Sequence, residues 1–329
     1  MTFNKYDEPM VTVILTVFRR TVFLKEAILS VLNQKYKFFE IIVTDDSDSP
    51  EVREIIKSFN SNVIRYRCNS AQLGVVTNLK IALNEAKGKF VAILNDDDIW
   101  ESTFLSDLVN ALNIYPNAVI AFSDHWIISK SGVIEHDKTE INSLHYGRKF
   151  LNSGAVKNPI DFVLNNGIPL AMACLIRLEY LKPSYFIKNV TGAYDFWLSL
   201  QLVALGKEII YVPKRLTRYR VHHAMETNRK DKDKNLNLVF IYEKLLKMNF
   251  YKSKIFFIEQ KLCKAKYQVG KDLLFFNQIE RARIYLYDSL NMRFSFKTLI
   301  ILCLTFTPLI KFNSFLHNIY KNVLTSKNL

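Results

Sequence analysis

The sequence predicts an α/β fold, with a mostly parallel sheet flanked by helices and a separate helical region after it. Two observations indicate this fold. Over the first hundred residues, short apolar runs rich in β-branched residues alternate with amphipathic helical patterns, which is the rhythm of repeated βα units. After the charged run at residues 229–234 this rhythm stops, and Leu, Phe, Ile, Tyr and Lys continue at helical spacing. We therefore expect two domains, residues 1–228 and 229–329.

The elements of the first domain follow in chain order. Residues 11–17 (VTVILTV) form the first expected strand, and residues 21–32 form the helix after it. Further strands are expected at residues 40–43, 63–66, 90–94, 118–122, 170–176 and 209–212, the last ending before Pro213. Further helices are expected at residues 51–59, 79–86 and 194–205. In the second domain, residues 270–290 predict a helical hairpin. The apolar stretch 298–310 is too short to span a bilayer, so it would lie in a membrane interface or close a core.

The positive charge of the chain is concentrated at its carboxyl end. The formal net charge is +14, and residues 240–329 carry 15 basic and 5 acidic side chains, a balance of +10. These basic residues are interleaved with long aliphatic runs rather than with base-stacking motifs, which argues against nucleic acid as a partner. An anionic membrane surface is the expected partner instead. The four scattered cysteines lack disulfide or metal-ligand spacing and indicate a reducing compartment.

Polar side chains follow three of the expected strands, at residues 16–20, 45–48 and 95–98. In open parallel sheets, ligands bind beyond the carboxyl ends of the strands. Asp96, Asp97 and Asp98 repel one another after a buried strand, and a divalent metal that bridges a diphosphate would relieve this repulsion. Helix capping is the alternative, with Asp98 as the cap of a helix that starts near Glu101. Capping accounts for one of the three carboxylates.

A further carboxylate, Asp45, lies at the end of another expected strand. A carboxylate held at this position can accept hydrogen bonds from a nucleobase N–H or from ribose hydroxyls. The alternative is an Asx turn within the Asp-Ser-Asp-Ser run before Pro50. The sequence leaves both interpretations open.

Several of these segments together resemble the family-two glycosyltransferases of the GT-A fold. The matching segments, in order, are residues 11–20 (VTVILTVFRR), 40–47 (EIIVTDDS) and 88–100 (GKFVAILNDDDIW), followed by residues 194–200 (YDFWLSL), Gly206 and residues 219–222 (YRVH). The resemblance covers residues 9–228, and the order of four motifs is more specific than any one of them.

The resemblance implies roles for the residues at the strand ends. Thr16, Phe18 and Arg19 would hold the nucleotide, and Asp45 would recognise its base. Asp96 would contact the ribose or the donor sugar. Asp97 would bind the divalent metal, Mn²⁺ or Mg²⁺, with Asn95 in place of the first acid of the DxD motif. Lys80 stands where the family commonly has Asn; it would neutralise the diphosphate, or lie solvated on a helix face.

The catalytic base and the acceptor contacts are less directly implied. The family's usual base position falls on Ala193, which cannot take a proton, so the next carboxylate, Asp195, is the candidate general base. Its alternative role is that of an acid at a helix N-terminus. Asp124 and Trp126 are the candidate acceptor contacts.

His222 closes the Tyr-Arg-x-His sequence at residues 219–222. It would be a third metal ligand or touch the diphosphate, with Arg220 as a charge partner, and a structural histidine is the alternative.

The expected function is an inverting transfer of a sugar from a nucleotide-diphosphate sugar, with UDP as the expected nucleotide. The expected acceptor is a saccharide or a lipid-linked saccharide in bacterial cell-surface polysaccharide synthesis. The protein would be cytoplasmic and peripherally attached to the inner face of the cell membrane. Asn95 and Ala193 motivate an alternative, a catalytically weak GT-A domain that acts as a nucleotide-binding or scaffold module at the membrane.

Overall fold

The computed structural model describes residues 10–222 and 232–307. The chain divides into two compact units, Met1–Arg229 and Lys230–Leu329. In the first unit, the strands are β1 Val11–Val17, β2 Phe39–Asp45, β3 Ile64–Cys68, β4 Phe90–Asn95, β5 Ile99–Trp100, β6 Ile120–Ile128, β7 Gly154–Ala155, β8 Cys174–Arg177 and β9 Ile209–Arg220. The α-helices are α1 Leu24–Leu32, α2 Pro50–Ser58, α3 Val75–Asn84, α4 Phe104–Ile114, α5 His136–His145, α6 Pro159–Asn166 and α7 Tyr194–Val203.

Within residues 10–222, the nine strands form one sheet with the order β3-β2-β1-β4-β8-β6-β9-β5, and β7 pairs with β9. The expected α/β sheet with flanking helices is confirmed. Its first four strands are parallel, as the βα rhythm predicts, and β6 is parallel to β9. The pairs β4–β8, β6–β8, β5–β9 and β7–β9 are antiparallel, so the sheet as a whole is mixed.

The central strands are buried on both faces, which explains their continuous apolar sequences. On one face, Val13 and Leu15 of β1 belong to a cluster with Ile28 of α1 and Leu108 of α4. On the other face, Ile14 is buried and α3 contacts β1 and β2. The parallel half of the sheet is therefore a rigid, fully covered support for the residues at its carboxyl edge.

Three elements differ from the predicted bounds. The helix expected at residues 79–86 begins earlier, at Val75, because Gly74 takes a positive φ of 81° and turns the chain into it. The strand expected at residues 170–176 is shorter and starts at Cys174. The strand expected to end before Pro213 continues to Arg220.

β9 passes through Pro213 because the pairing with β6 is irregular there. Val212 pairs with Ser123 and Arg215 pairs with Asp124, so the residues between them have no partner on β6. Proline, which has no N–H to donate, is tolerated at such a bulge. β9 therefore extends to the edge at which β4 ends.

The second unit is helical in its described residues 232–307. Its α-helices are α8 Lys232–Leu246, α9 Ile255–Phe275, α10 Ile279–Met292 and α11 Phe296–Leu304. The predicted hairpin is confirmed, although its first helix starts at Ile255 rather than at residue 270. Gly270 permits the close approach of α9 and α10, because a Cβ there would lie 2.6 Å from Cγ of Leu286.

The apolar stretch 298–310 is helical in α11, and its last residues, from 308, lie outside the described part of the chain. Across residues 10–222 and 232–307, no helix combines the length and the apolar character that crossing a bilayer requires.

Candidate active site

The carboxyl ends of three neighbouring strands form the candidate site. β1 lies between β2 and β4, and the register places Thr16 beside Asn95 on one side and Val17 beside Asp45 on the other. The three polar strand ends predicted from the sequence therefore lie side by side.

The three consecutive aspartates at the end of β4 are all buried, and each has a different set of partners. Arg20 contacts two of them: its Nη2 lies 2.6 Å from Oδ1 of Asp96, and its Nη1 lies 2.7 Å from Oδ2 of Asp97. The backbone N–H of Phe18 also donates to Asp96, at 3.4 Å. One guanidinium thus balances two of the carboxylates.

Asp98 is bonded within the fold instead of capping a helix. Its carboxylate accepts from the side-chain amide of Asn95 and from the backbone N–H of Arg220, both at 3.1 Å. The next helix, α4, begins at Phe104 with Thr103 as its N-cap, because residues 99–100 first form β5 and pair with β9. The alternative that Asp98 caps a helix near Glu101 is wrong.

Burial dominates the titration of Asp96 and Asp98. It raises the pKa of Asp96 to about 7, against the opposing effect of the Arg20 charge. It raises the pKa of Asp98 to about 8, and the neighbouring charge of Asp97 adds to this effect. Both side chains therefore bind protons more readily than an exposed aspartate does.

The end of β9 brings a histidine to the same edge of the sheet. The buried guanidinium of Arg220 donates to the carbonyl of Asp97 at 3.0 Å and pairs with Glu26 at 2.6 Å. These bonds fix the chain so that Nε2 of His222 lies 3.2 Å from Oδ2 of Asp97. Arg220, the expected charge partner in this motif, holds the backbone on which His222 is placed.

The pair Asp97 and His222 fits two positions of a divalent metal site. A carboxylate oxygen and an imidazole nitrogen converge here, and both are ligands of Mn²⁺. Within the described ranges, no group of three His, Cys, Asp or Glu side chains could hold a metal ion. Two protein ligands suffice for a metal whose remaining positions are filled by substrate phosphate oxygens and water, as is common for Mg²⁺. The donor set therefore fits a metal that is bound together with a diphosphate.

Asp45, at the end of β2, forms the Asx turn that the sequence left open. Its Oδ1 accepts from the backbone N–H of Ser47 at 2.8 Å and from the Ser47 hydroxyl at 2.6 Å. Its Oδ2 accepts from the hydroxyl of Tyr66 at 2.8 Å. Both oxygens of this fully buried carboxylate are therefore engaged within the protein.

The adjacent Asp46 anchors the loop that leads into α3. It accepts from the backbone N–H groups of Leu73 and Gly74, and from the side-chain amide of Asn69, all at 2.8 Å. This carboxylate shapes the wall of the site beside Asp45.

The other residues expected to bind the nucleotide-sugar donor lie in the first unit of the chain. Thr16 and Phe18 are half-buried at the end of β1. Arg19 is exposed with a positive φ of 59°, and its guanidinium lies 5.1 Å from the centre of the Phe18 ring. Lys80 is half-buried on α3.

Asp195 lies half-buried in the first turn of α7, after the buried Ala193. Its Oδ1 accepts from the N–H of Phe196 at 2.8 Å. Burial and the charges of Asp195 and Asp98 raise the pKa of Tyr194.

The candidate acceptor residues of β6 belong to a cluster of ion pairs. Nε of Arg148 lies 2.6 Å from Oδ1 of the buried Asp124. Arg215 lies 3.7 Å from the other oxygen of Asp124, and its guanidinium lies 4.5 Å from the centre of the Trp126 ring. The structure thus connects Asp124 to Trp126 through Arg215.

Comparison with known proteins identifies the family of this domain. The model for glycosyl transferase family 2 matches residues 12–167, which include β1, β2, β4 and the acidic triplet. These residues belong to glycosyltransferase family 2. The resemblance seen in the sequence motifs is confirmed.

Two curated relatives from this comparison are bacterial glucosyltransferases. The chain is 36% identical over 108 residues to the GalNAc(5)-diNAcBac-PP-undecaprenol beta-1,3-glucosyltransferase of Campylobacter jejuni, covering 32% of this chain and 35% of that protein. It is 24% identical over 217 residues to WfaP of Escherichia coli, a UDP-Glc:alpha-D-GlcNAc-diphosphoundecaprenol beta-1,3-glucosyltransferase, covering 65% of this chain and 78% of that protein. The chain therefore spans about a third of the Campylobacter protein.

A solved structure shares the fold. Residues 1–349 of TarS from S. aureus, in complex with UDP-GlcNAc, superimpose with a TM-score of 0.64 and 15% sequence identity, covering 86% of this chain and 81% of that chain. This likeness confirms the GT-A fold of the glycosyltransferase domain.

Sequence reasoning missed Arg20 and Tyr66. Arg20 belongs to the polar run after β1, but the choice of Arg19 rested on position within the family motif. The positive φ of Arg19 turns its side chain outward, and Arg20 takes the place beside the aspartates. Tyr66 lies on a neighbouring strand, and its contact with Asp45 follows from the parallel register of β2 and β3.

We predict that Arg20→Gln lowers the free energy of unfolding by about 1–3 kcal/mol, because Asp96 and Asp97 lose their common counter-ion. Arg19→Gln is the matched control, since it removes a neighbouring exposed guanidinium that has no recorded contact with the triplet. Urea unfolding of both variants measures the difference. Equal stability of the two variants would contradict the role given to Arg20.

We predict that His125 makes the fold less stable as the pH falls. Burial, with a smaller effect of the Arg148 charge, lowers the pKa of His125 to about 3, so the folded state does not bind the proton that the unfolded state takes up below about pH 6.5. Between about pH 7.5 and pH 5, this difference costs about 2 kcal/mol. His125→Gln should remove that part of the pH dependence in urea unfolding, whereas Gln in place of the exposed His145 should leave it intact.

Proposed function

We propose that this protein is an inverting glycosyltransferase that transfers a sugar from a UDP-sugar to a lipid-linked saccharide acceptor. The observation that supports this most directly is the convergence of Asp96, Asp97 and His222 at the edge where Asp45 also lies. A diphosphate held between cations, next to a site for a base, is the arrangement that a nucleotide-sugar requires. Membership of family 2 supports the same reaction class.

The donor is proposed to bind along the ends of β1, β2 and β4. Thr16 and Phe18 flank the nucleotide, Asp45 recognises the base, and Asp96 contacts the ribose or the donor sugar. Since both oxygens of Asp45 already have partners, a base N–H would replace the Tyr66 hydroxyl as the donor to Oδ2. UDP is the proposed nucleotide because WfaP uses UDP-Glc and TarS binds UDP-GlcNAc.

Cationic groups are proposed to hold the diphosphate. Asp97 and His222 would bind Mn²⁺ or Mg²⁺, which would neutralise charge that develops on the leaving diphosphate. Arg20 supplies a permanent positive charge within 2.7 Å of the carboxylates of Asp96 and Asp97. Lys80 is proposed as a further positive group beside the donor phosphates, and the exposed Arg19 as a contact of the bound nucleotide.

The proposed general base is Asp195. In an inverting displacement, the acceptor hydroxyl attacks the anomeric carbon, the bond to the diphosphate breaks, and the hydroxyl proton passes to the Asp195 carboxylate. Ala193, at the family's usual position, has no group that takes a proton. Asp195 is the carboxylate in the first turn of α7, two residues after this position.

The acceptor is proposed to bind beside β6. Trp126 offers an indole ring to a sugar, and Asp124 contributes by holding Arg215 against that ring. Both curated relatives act on acceptors joined to undecaprenol through a diphosphate, which supports a lipid-linked acceptor here. Such an acceptor supports a peripheral position at the inner face of the cell membrane.

We predict that Asp97→Asn reduces metal-dependent transfer from UDP-Glc or UDP-GlcNAc by at least about a hundredfold, because the metal loses its carboxylate ligand. Transfer rates are measured with and without Mn²⁺, and Mn²⁺ binding is measured separately by paramagnetic resonance. Asp107→Asn, which changes an acid of α4 paired with Lys214, is the control. Full Mn²⁺-stimulated transfer in Asp97→Asn would disprove the metal assignment.

We predict that Asp195→Asn lowers kcat by about 10²–10⁴-fold and leaves the Kd of the donor unchanged, because the base acts on the acceptor. Asp161→Asn tests the alternative role, since Asp161 is also an acid in the first turn of a helix. Calorimetry gives the Kd and a coupled assay gives kcat. Near wild-type turnover in Asp195→Asn would exclude it as the base, and donor binding without turnover in the wild type would favour the non-catalytic module.

A further inference from the structure

Helix α11 has its apolar side facing outward. Thr298, Leu302 and Thr305, at a spacing of four and three residues, form the buried face that runs from α11 into the turn after it. The opposite face carries Phe296, Ile300, Cys303 and Phe306, spaced by four, three and three residues, and all four are exposed. We refer to these four residues as the α11 stripe. A surface helix of a soluble domain normally shows the reverse arrangement.

Hydrogen bonds to the Thr305 side chain and to the backbone of Thr298 hold the inward face of the helix in place. The Thr305 hydroxyl donates to the carbonyl of Leu302 at 2.6 Å and accepts from Nε of Arg283 at 3.1 Å. Ser295 caps the helix by accepting from the N–H of Thr298 at 3.4 Å. The inward face is therefore anchored, and the apolar stripe is left to the outside.

The stripe is large for an exposed apolar surface. The exposed fractions are 73% for Phe296, 58% for Ile300 and 68% for Phe306. Phe294, also exposed, packs its ring 4.9 Å from that of Phe296 and extends the surface. Contiguous exposed apolar patches of this kind mark sites that contact another molecule or a membrane.

The charge around the stripe is positive. The sequence contains no acidic residue after Asp288, whereas Arg293 and Lys297 flank the start of α11 and three further lysines follow by the end of the chain. On the other side, the guanidinium of Arg283 lies 4.0 Å from the centre of the Phe306 ring and is paired with Glu280 at 2.6 Å, so the positive charge comes from Arg293 and Lys297. An apolar stripe bordered by basic side chains is complementary to an anionic lipid surface.

We propose that the α11 stripe inserts into the interface of an anionic phospholipid bilayer and anchors the protein there. The inference rests on the proposed peripheral membrane position and identifies the surface that produces it. From Phe296 to Phe306 the stripe is about 15 Å long, which is too short to cross a bilayer. It therefore lies along the bilayer plane. Pairing with a second copy is disfavoured, because a two-fold contact would bring the same basic residues of both copies together.

The test uses the full chain and vesicles of phosphatidylcholine, with or without phosphatidylglycerol. The wild type should sediment with the phosphatidylglycerol vesicles at low salt and much less with phosphatidylcholine alone. Ile300→Glu should lower this partition by at least about tenfold, because it places a charge at the centre of the stripe. Phe256→Glu is the matched control: Phe256 is 75% exposed on α9, but Glu259 and Gln260 follow it at helical spacing, so it belongs to no stripe.

A second measurement does not depend on a substitution. Cys303, the exposed cysteine of the described residues, accepts an environment-sensitive fluorophore within the stripe itself. Its emission should shift to the blue when phosphatidylglycerol vesicles are added and should not shift with phosphatidylcholine vesicles at high salt.

Three results would overturn the proposal. These are unchanged vesicle binding by Ile300→Glu, an equal loss in Phe256→Glu, and a wild-type dimer without lipid that Ile300→Glu converts to a monomer. Sugar transfer to a short, water-soluble acceptor analogue distinguishes the proposed membrane anchor from the proposed transfer reaction. Ile300→Glu should keep this transfer activity. A wild-type protein that binds lipid but transfers no sugar would support the anchor and refute the proposed reaction.

Discussion

The candidate site depends on how three buried carboxylates are accommodated at the end of one strand. Ionised side chains at this depth are costly unless each is matched by a donor or a cation. Two arrangements serve the three carboxylates. Arg20 lies between Asp96 and Asp97, and the backbone of β9 and the amide of Asn95 satisfy Asp98. The positions of β1, β4 and β9 relative to one another follow from these contacts, and so does the position of His222.

This arrangement gives neighbouring acids of the same sequence run separate tasks. Asp98 ties two strands together, while one oxygen of Asp97, Oδ2, contacts both the guanidinium of Arg20 and the imidazole of His222. The same division occurs at the end of β2, where Asp46 holds the loop before α3 and Asp45 closes its own turn. In each pair, one carboxylate builds the wall of the site, and the other is the one proposed to contact the donor or the metal.

The fold and the location of the site were predictable from the sequence, because both depend on local patterns. Buried parallel strands have continuous apolar runs, and their ends are marked by polar residues. The identity of the counter-ion was not predictable, because Arg19 and Arg20 are adjacent and a backbone angle decides which one turns inward. The length of β9 was also missed, since Pro213 normally ends a central strand and the bulge that accommodates it depends on pairing with β6. The sequence shows the helical spacing of the apolar residues in α11. Only the packing of α11 against α10 determines which face of the helix is buried and which is exposed.

The bulge opposite Pro213 has a consequence for how such a site can change during evolution. Downstream of it, β9 carries Arg220, whose side chain and backbone lock onto β4, and then His222. Because side chains alternate across a strand, gain or loss of one residue in the bulge would exchange inward and outward positions over the rest of β9. His222 would move away from Asp97, while the part of β9 before the bulge would keep its register with β6. A single insertion or deletion at this point can therefore remove or restore a proposed metal ligand without any substitution at the site itself.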